Sequence, residues 1–122
     1  MAVRLLIADD HAVVRAGVRS MTADTEIEIV AEASDGNEAF GLASQHNLDL
    51  VLLDVRMPGA DGITCLGRLR TEMPNLPVLM FSAYDNPTYI ARAVALGALG
   101  YVVKTAGKEE LLSAIRRAAA GE

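Results

Sequence analysis

The chain has 122 residues, a length typical of one domain, and its 52% hydrophobic and 22% charged residues are the composition of an ordinary globule rather than a disordered chain. Its 16 acidic and 11 basic side chains give a net charge of −5, so charge alone disfavours binding to nucleic acid or to an anionic membrane surface. The single cysteine, Cys65, excludes an internal disulfide and a cysteine-rich zinc site. No apolar stretch approaches the ~20 residues of a membrane span and the N-terminus lacks a signal-peptide layout, so we expect a cytoplasmic protein without a membrane partner.

Five short apolar runs predict five β-strands, at residues 5–8, 27–33, 50–53, 78–81 and 101–103. Three of these runs are nearly continuous, which is typical of parallel strands that are covered on both faces. The second run alternates, as in Ile27-Glu28-Ile29, and so indicates an edge strand. Between the runs, apolar residues recur at helical spacing, so strands and helices alternate along the chain.

Helix start and stop signals agree with this alternation. Asp35, Asp61 and Asn86 are suited to cap the second, third and fourth helices, and Glu38 would complete a capping box with Asp35. Gly97 suits a helix stop. Strands that start about 25 residues apart, each followed by a helix, predict an α/β fold: a (βα)5, doubly wound domain with a parallel sheet and helices on both faces.

Chemically active side chains follow four of the predicted strands. Asp9, Asp10 and His11 follow the first strand, Asp54 follows the third, Ser82 follows the fourth and Lys104 follows the fifth. Ligands of open α/β sheets bind outside the carboxyl ends of the strands. We therefore expect three carboxylates, a hydroxyl and an ammonium group to converge on one edge of the sheet.

Three carboxylates held close together repel one another unless a cation joins them. Carboxylate and carbonyl oxygens suit Mg²⁺, whereas zinc would want histidine or cysteine, and only His11 is near. Mg²⁺ bridges readily to phosphate oxygens, and Lys104 and Ser82 can hold the others. The pattern predicts phosphoryl transfer to a carboxylate.

These residues and their order resemble the receiver domains of bacterial two-component response regulators. The matching segments are residues 6–11, 53–59, 61–62, 81–83 and 100–104. Residues 9–11, 56–59 and 119–122 are similar to the NarL/FixJ (LuxR-type) subfamily. The resemblance implies that residues 1–122 form one receiver domain with a CheY-like, flavodoxin-like sandwich whose five-stranded parallel sheet has the order 2-1-3-4-5. It also implies a C-terminal helix-turn-helix DNA-binding domain beyond residue 122.

The resemblance implies a role for each acidic residue. Asp54 would accept a phosphoryl group from a phosphohistidine of a sensor histidine kinase. Asp10 and Asp54 would bind Mg²⁺ through their carboxylates, Asp9 through water, and Arg56 through its backbone carbonyl.

The remaining implied roles concern the switch. Ser82 and Lys104 would each hold a phosphoryl oxygen, and Tyr101 would change rotamer when Ser82 moves inward. The surface formed by the fourth helix, fifth strand and fifth helix would relay the signal to the control of transcription, and the domain would form a homodimer on activation. Arg56 and Tyr84 would tune how fast the phosphorylated form decays. Such a domain is no enzyme towards other molecules, because it catalyses only its own phosphorylation and dephosphorylation.

Three positions depart from the commonest pattern of the family. Ser82 stands where many relatives have threonine, which keeps the hydroxyl, and Gly107 stands where a serine often opens the last helix. Thr105 follows Lys104 where many receivers have proline, so a cis peptide bond there would cost about 2.5–4 kcal/mol rather than under ~1.

Other interpretations are weighed against this one. His11 could be a ligand or a phosphate carrier, but a neighbour of the site on the surface is favoured, and Asp61-Gly62 is favoured as a cap and turn. An aspartyl-nucleophile phosphatase similar to the haloacid dehalogenases would need an acid where Arg56 stands, and a flavodoxin-like FMN binder would need a phosphate-cradling loop where the first strand is followed by two aspartates. A stand-alone, CheY-like receiver that signals by protein contact stays open.

Overall fold

In this computed structural model, which describes residues 2–57, 61–83 and 86–121, strands and helices alternate from one end of the chain to the other. The elements are β1 Val3–Ala8, α1 Ala12–Thr22, β2 Ile27–Ala33, α2 Gly36–Gln45, β3 Leu50–Leu53, α3 Gly62–Glu72, β4 Val78–Ser82, α4 Pro87–Ala95, β5 Gly100–Val103 and α5 Lys108–Ala119. Pro58, Gly59 and Tyr84, which the sequence interpretation used, lie outside the described residues.

The five strands form one parallel sheet in the order β2-β1-β3-β4-β5, which confirms the predicted fold and order. The alternating strand, β2, lies at an edge as expected. β1 begins two residues before its apolar run, because Val3 and Arg4 already pair with the start of β2. The register between β1 and β2 then shifts between Leu5 and Leu6, as a β-bulge does.

Two apolar layers cover the sheet, one on each face. Successive residues of a strand point to opposite faces, so Leu6 and Leu53 lie in the layer that α2, α3 and α4 cover, whereas Leu5 and Leu52 lie in the layer under α1 and α5. Because the helices cover the two faces, the carboxyl ends of the strands meet at one end of the sheet. None of the described helices is long and apolar enough to cross a membrane.

The helix starts follow the sequence signals. The side chains of Asp35, Asp61 and Asn86 each accept a hydrogen bond from a backbone N–H of the first turn that follows, which satisfies donors that the helix itself leaves unpaired. The capping box at α2 differs in one respect. The Glu38 carboxylate accepts from the backbone N–H of Ser34 at 2.7 Å, one residue before the predicted partner.

The end of α4 is a Schellman motif. Gly97 has φ +98°, a left-handed conformation that glycine adopts without a Cβ penalty. Its N–H donates to the carbonyl of Val94, and the N–H of Ala98 donates to the carbonyl of Ala93, both at 3.0 Å. This turn ends the helix as predicted and leads the chain into β5.

Candidate functional site

Backbone hydrogen bonds between neighbouring strands continue one residue past the strand ends and fix three of the predicted site residues. The N–H of Asp9 donates to the last residue of β2 at 2.9 Å, that of Asp54 to the last residue of β1 at 2.9 Å, and that of Lys104 to the last residue of β4 at 2.7 Å. The β-ladder, rather than a free loop, therefore sets where these side chains start.

Lys104 pairs with two buried carboxylates. Its Nζ lies 2.6 Å from Oδ2 of Asp9 and 3.1 Å from Oδ2 of Asp54. Asp9 is 1% exposed and Asp54 is 3% exposed, and buried charges are stable only when they are paired. Lys104, which follows β5, thus reaches past the end of β4 to pair with both acids, which follow the neighbouring strands β1 and β3.

The local field shifts the pKa of two of these groups. Burial raises the pKa of the Asp54 carboxyl above its ordinary value, and the charge of Asp9 adds to this, against the opposing effect of Lys104. Burial alone would lower the pKa of the Lys104 ammonium. The hydrogen bonds that it donates to Asp9 and Asp54, together with the negative charges of these residues, outweigh burial and raise the pKa. Lys104 therefore stays charged, while ionised Asp54 is under-compensated.

Asp10 and His11 complete the cluster on its more open side. The backbone N–H of His11 donates to Oδ1 of Asp9 at 2.8 Å. Its ring Nδ1 lies 3.2 Å from the same oxygen and 3.1 Å from Oδ1 of Asp10. We call Asp9, Asp10 and Asp54 the acidic cluster.

The acidic cluster fits a hard divalent cation. Oδ1 of Asp10 is buried, yet no residue in 2–57, 61–83 or 86–121 gives it a hydrogen bond, which is costly for a carboxylate oxygen. One ligand atom each from Asp9, Asp10, His11 and Asp54 lies within 4.8 Å of the others. A set of carboxylate oxygens with a spare acceptor is the chemistry that Mg²⁺ prefers.

Ser82 and Tyr101 lie on the neighbouring strands β4 and β5. Ser82 is fully buried and pairs in register with Val103, while Tyr101 pairs with Met80. Met80 and the half-buried Tyr101 belong to the apolar layer under α2–α4, and Ser82, two residues after Met80, points to the same face. The hydroxyl and the aromatic ring that the resemblance couples thus share one face of the sheet.

The segment after β3 folds back against Asp54. The N–H of Arg56 points to Oδ1 of Asp54 at 3.5 Å, and the N–H of Gly62 donates to the carbonyl of Val55 at 2.8 Å. A Cβ at Gly62 would lie 1.7 Å from the backbone oxygen of Asp54, so no other residue fits this approach without movement. The Lys104–Thr105 bond is trans, with no cis peptide among the described residues.

A family model described as response regulator receiver domain matches residues 5–116. The chain belongs to this family. The receiver is 36% identical to the uncharacterized transcriptional regulatory protein YxjL of Bacillus subtilis, over 98% of this chain and 56% of that protein. The chain thus spans about half the length of such relatives.

Solved structures agree with the family. The receiver is similar to the signal receiver domain of NarL from Mycobacterium tuberculosis, with 35% identity, a TM-score of 0.93 and coverage of 99% of this chain and 98% of that one. It is also similar to a CheX–CheY–BeF₃–Mg²⁺ complex from Borrelia burgdorferi, with 29% identity, a TM-score of 0.90 and coverage of 94% and 87%. LuxR-family response regulators are among the other similar structures, which supports the predicted subfamily.

The receiver brings its predicted site residues to one edge of the sheet. Asp9, Asp54 and Lys104 are in direct contact, Asp10 borders them, and Ser82 ends the strand beside Lys104. Asp61 caps α3 as predicted. The chemical roles of these residues stay predictions.

Two residues of the receiver's site were missed from the sequence. Nη1 of Arg15 donates to the backbone oxygen of Asp9 at 2.6 Å, and its Nε donates to Oε1 of Glu32 at 3.1 Å. Arg15 therefore ties the loop after β1 to the neighbouring strand β2. Its place one helical turn after His11 was the available signal, whereas Glu32 depends on the register across a bulge.

Proposed function

We propose that this receiver is switched by phosphorylation of Asp54. A phosphohistidine of a sensor histidine kinase would supply the phosphoryl group: its P–N bond breaks, a P–O bond to Asp54 forms, and the imidazole keeps the electron pair. The supporting observation is the under-compensated carboxylate of Asp54, buried beside Lys104 and the other two acids at the end of a central strand. The receiver catalyses this step, and the later hydrolysis, only on itself.

Magnesium fits this step through the acidic cluster. Asp10 and Asp54 would hold the ion through carboxylates, Asp9 through water, and Arg56 through its carbonyl. When bound, the ion would supply positive charge that offsets the negative charge of the phosphoryl oxygens during transfer. The spare, buried Oδ1 of Asp10 supports this assignment, as does the Mg²⁺ in the name of the similar Borrelia complex.

The switch follows from the change in charge at Asp54. Phosphorylation replaces a −1 carboxylate by a group of about −2 with three strong acceptors. Lys104, which contacts both Asp9 and Asp54, would then pair with one phosphoryl oxygen, and the Ser82 hydroxyl would bond another. These contacts exist in one state only, so they shift a two-state equilibrium, and Tyr101 carries the change to the surface of α4, β5 and α5.

The output we propose is control of transcription. YxjL is named a transcriptional regulatory protein and is nearly twice as long as the matched region, which supports a C-terminal helix-turn-helix DNA-binding domain after this receiver. The receiver itself would bind neither nucleic acid nor membrane, would act in the cytoplasm, and would form a homodimer on activation. The alternative is a stand-alone receiver, favoured by the similar CheY, of which the matched region covers 87%.

The test is intact-mass spectrometry after incubation with a small-molecule phosphodonor and Mg²⁺. The wild type should gain one phosphoryl group, and chelation of Mg²⁺ should prevent the gain. Asp54→Asn should gain none, whereas the matched control Asp24→Asn, at an exposed turn, should behave as wild type. Equal labelling of Asp54→Asn would overturn the assignment. Lys104→Ala should uncouple phosphorylation from any change in oligomeric state. The same change in oligomeric state on phosphorylation as in the wild type would contradict the role of Lys104.

A further inference from the structure

The imidazole of His11 faces the acidic cluster although the ring itself is 65% exposed. Its backbone N–H is fixed on Oδ1 of Asp9 at 2.8 Å, and its Nδ1 lies 3.2 Å from that oxygen and 3.1 Å from Oδ1 of Asp10. Lys104 contacts the other oxygen of Asp9, Oδ2. The ammonium and the imidazole therefore do not compete for the same atom.

These separations match those between ligands of one metal ion. Two ligands at right angles, each about 2.1 Å from an ion, lie about 3.0 Å apart, and two opposite ligands lie about 4.2 Å apart. The Nδ1–oxygen distances of 3.1 and 3.2 Å correspond to the first case. The full set, with Asp54, lies within 4.8 Å, which is about 0.6 Å more than the separation of two opposite ligands.

A nitrogen ligand changes which ion a carboxylate site prefers. Oxygen ligands suit Mg²⁺, whereas imidazole suits later first-row ions such as Ni²⁺, Cu²⁺ and Zn²⁺. We infer that His11 Nδ1 is an additional ligand of the acidic cluster, and that it raises the affinity for these transition ions relative to Mg²⁺. This inference rests on the divalent-ion site of the proposed function.

The chain offers a matched control. His46 is the other of its two histidines and follows α2 as its C-cap, in the connection that leads to the amino-terminal end of β3. A His46→Ala variant abolishes any nickel binding by this histidine and leaves the acidic cluster unchanged. His11→Asn places an amide oxygen near the position of Nδ1, so it keeps a donor atom but removes the nitrogen.

The experiment is calorimetric titration of tag-free protein with MgCl₂ and, separately, with NiCl₂. His11→Ala should lower the Ni²⁺ affinity at least about tenfold more than the Mg²⁺ affinity, His11→Asn should do the same, and His46→Ala should match the wild type. With Cu²⁺ as the probe, pulsed EPR should detect an imidazole nitrogen in the wild type and in His46→Ala but not in His11→Ala.

Each outcome decides one claim. A Ni²⁺-to-Mg²⁺ affinity ratio that is the same in the wild type and in both His11 variants overturns the inference, even if Mg²⁺ binds and Asp54 is phosphorylated. Nickel binding that depends on His11, without measurable Mg²⁺ binding, supports the inference and contradicts the magnesium site of the proposed function. A protein that binds neither ion overturns both.

Discussion

Two glycines of α3 offer a matched test of how closely this helix approaches Asp54. A Cβ at Gly62 would lie 1.7 Å from the backbone oxygen of Asp54, about half the distance of an ordinary contact, and 2.9 Å from Cα of Val55, which is also shorter than an ordinary contact. A Cβ at Gly67 would meet nothing within 4 Å. The obstacle at Gly62 is backbone, which cannot rotate away. The same substitution should therefore have opposite effects five residues apart.

The two effects differ in sign and have estimable sizes. Gly67→Ala in the interior of the helix should stabilise the fold by roughly 0.5–1 kcal/mol, because alanine loses less backbone entropy on folding. Gly62→Ala should destabilise it by about 1–3 kcal/mol or more, the usual range for overpacking a tight site. The free energies of unfolding of the two variants should differ by about 1.5–4 kcal/mol, which for a domain of this size is a difference of roughly 5–15 °C in Tm.

Urea and thermal unfolding followed by circular dichroism measure this gap directly. Phosphorylation adds a second readout: Gly62→Ala should lower the yield of phosphorylated protein because the backbone of Asp54 must move, while Gly67→Ala should leave it unchanged. Equal stabilities for the two variants, or a stabilised Gly62→Ala, would refute the close approach of α3 to Asp54.

Three further predictions concern charge and access at particular residues. Burial raises the pKa of Asp54, so the contribution of this carboxyl to stability is fully present where it is protonated and is lost as the pH rises through the raised pKa. Asp54→Asn should therefore melt above the wild type at neutral pH in chelator, with a difference in Tm that shrinks in acid, and a difference that does not depend on pH would contradict this. Burial raises the pKa of the Cys65 thiol to about 11, so a thiol reagent at mildly alkaline pH should label the protein only after unfolding in urea, and rapid labelling of the native protein would contradict the burial. Arg15→Leu removes the hydrogen bond to the backbone oxygen of Asp9 and should weaken Mg²⁺ binding about tenfold by calorimetry. The control is Arg4→Leu, near the amino-terminal end of β1 and away from the acidic cluster; equal affinities of Arg15→Leu and the wild type would show that Arg15 does not position the acidic cluster.

Local signals predicted the elements of this fold because each signal acts within a few residues. Asp35 and Asp61 cap their helices through neighbouring N–H groups, and Gly97 ends α4 through its own φ. The alternation of Ile27-Glu28-Ile29 indicated an edge strand, and β2 lies at an edge of the sheet. The strand-end position of the site follows from the topology of parallel sheets, so the convergence of Asp9, Asp54 and Lys104 was predictable as well.

What the sequence did not predict depends on distances across elements. The Arg15–Glu32 bond requires the register of β1 and β2 across a bulge. The sequence predicts Gly62 as a turn at a helix start, but its contact with Asp54 depends on how the segment after β3 folds back. The direction of the His11 ring depends on its side-chain rotamer, which no periodicity encodes.

Chemical trapping can locate the phosphoryl group on the chain. An aspartyl phosphate is an acyl phosphate, which borohydride reduces to homoserine, so reduction of phosphorylated protein followed by peptide mapping marks the modified residue permanently. Homoserine is expected at position 54 in the sample that contained both phosphodonor and Mg²⁺, and not in the sample with chelator. Homoserine at position 9 or 10 instead, or none anywhere in the chain, would contradict the claim that Asp54 is the phosphoacceptor.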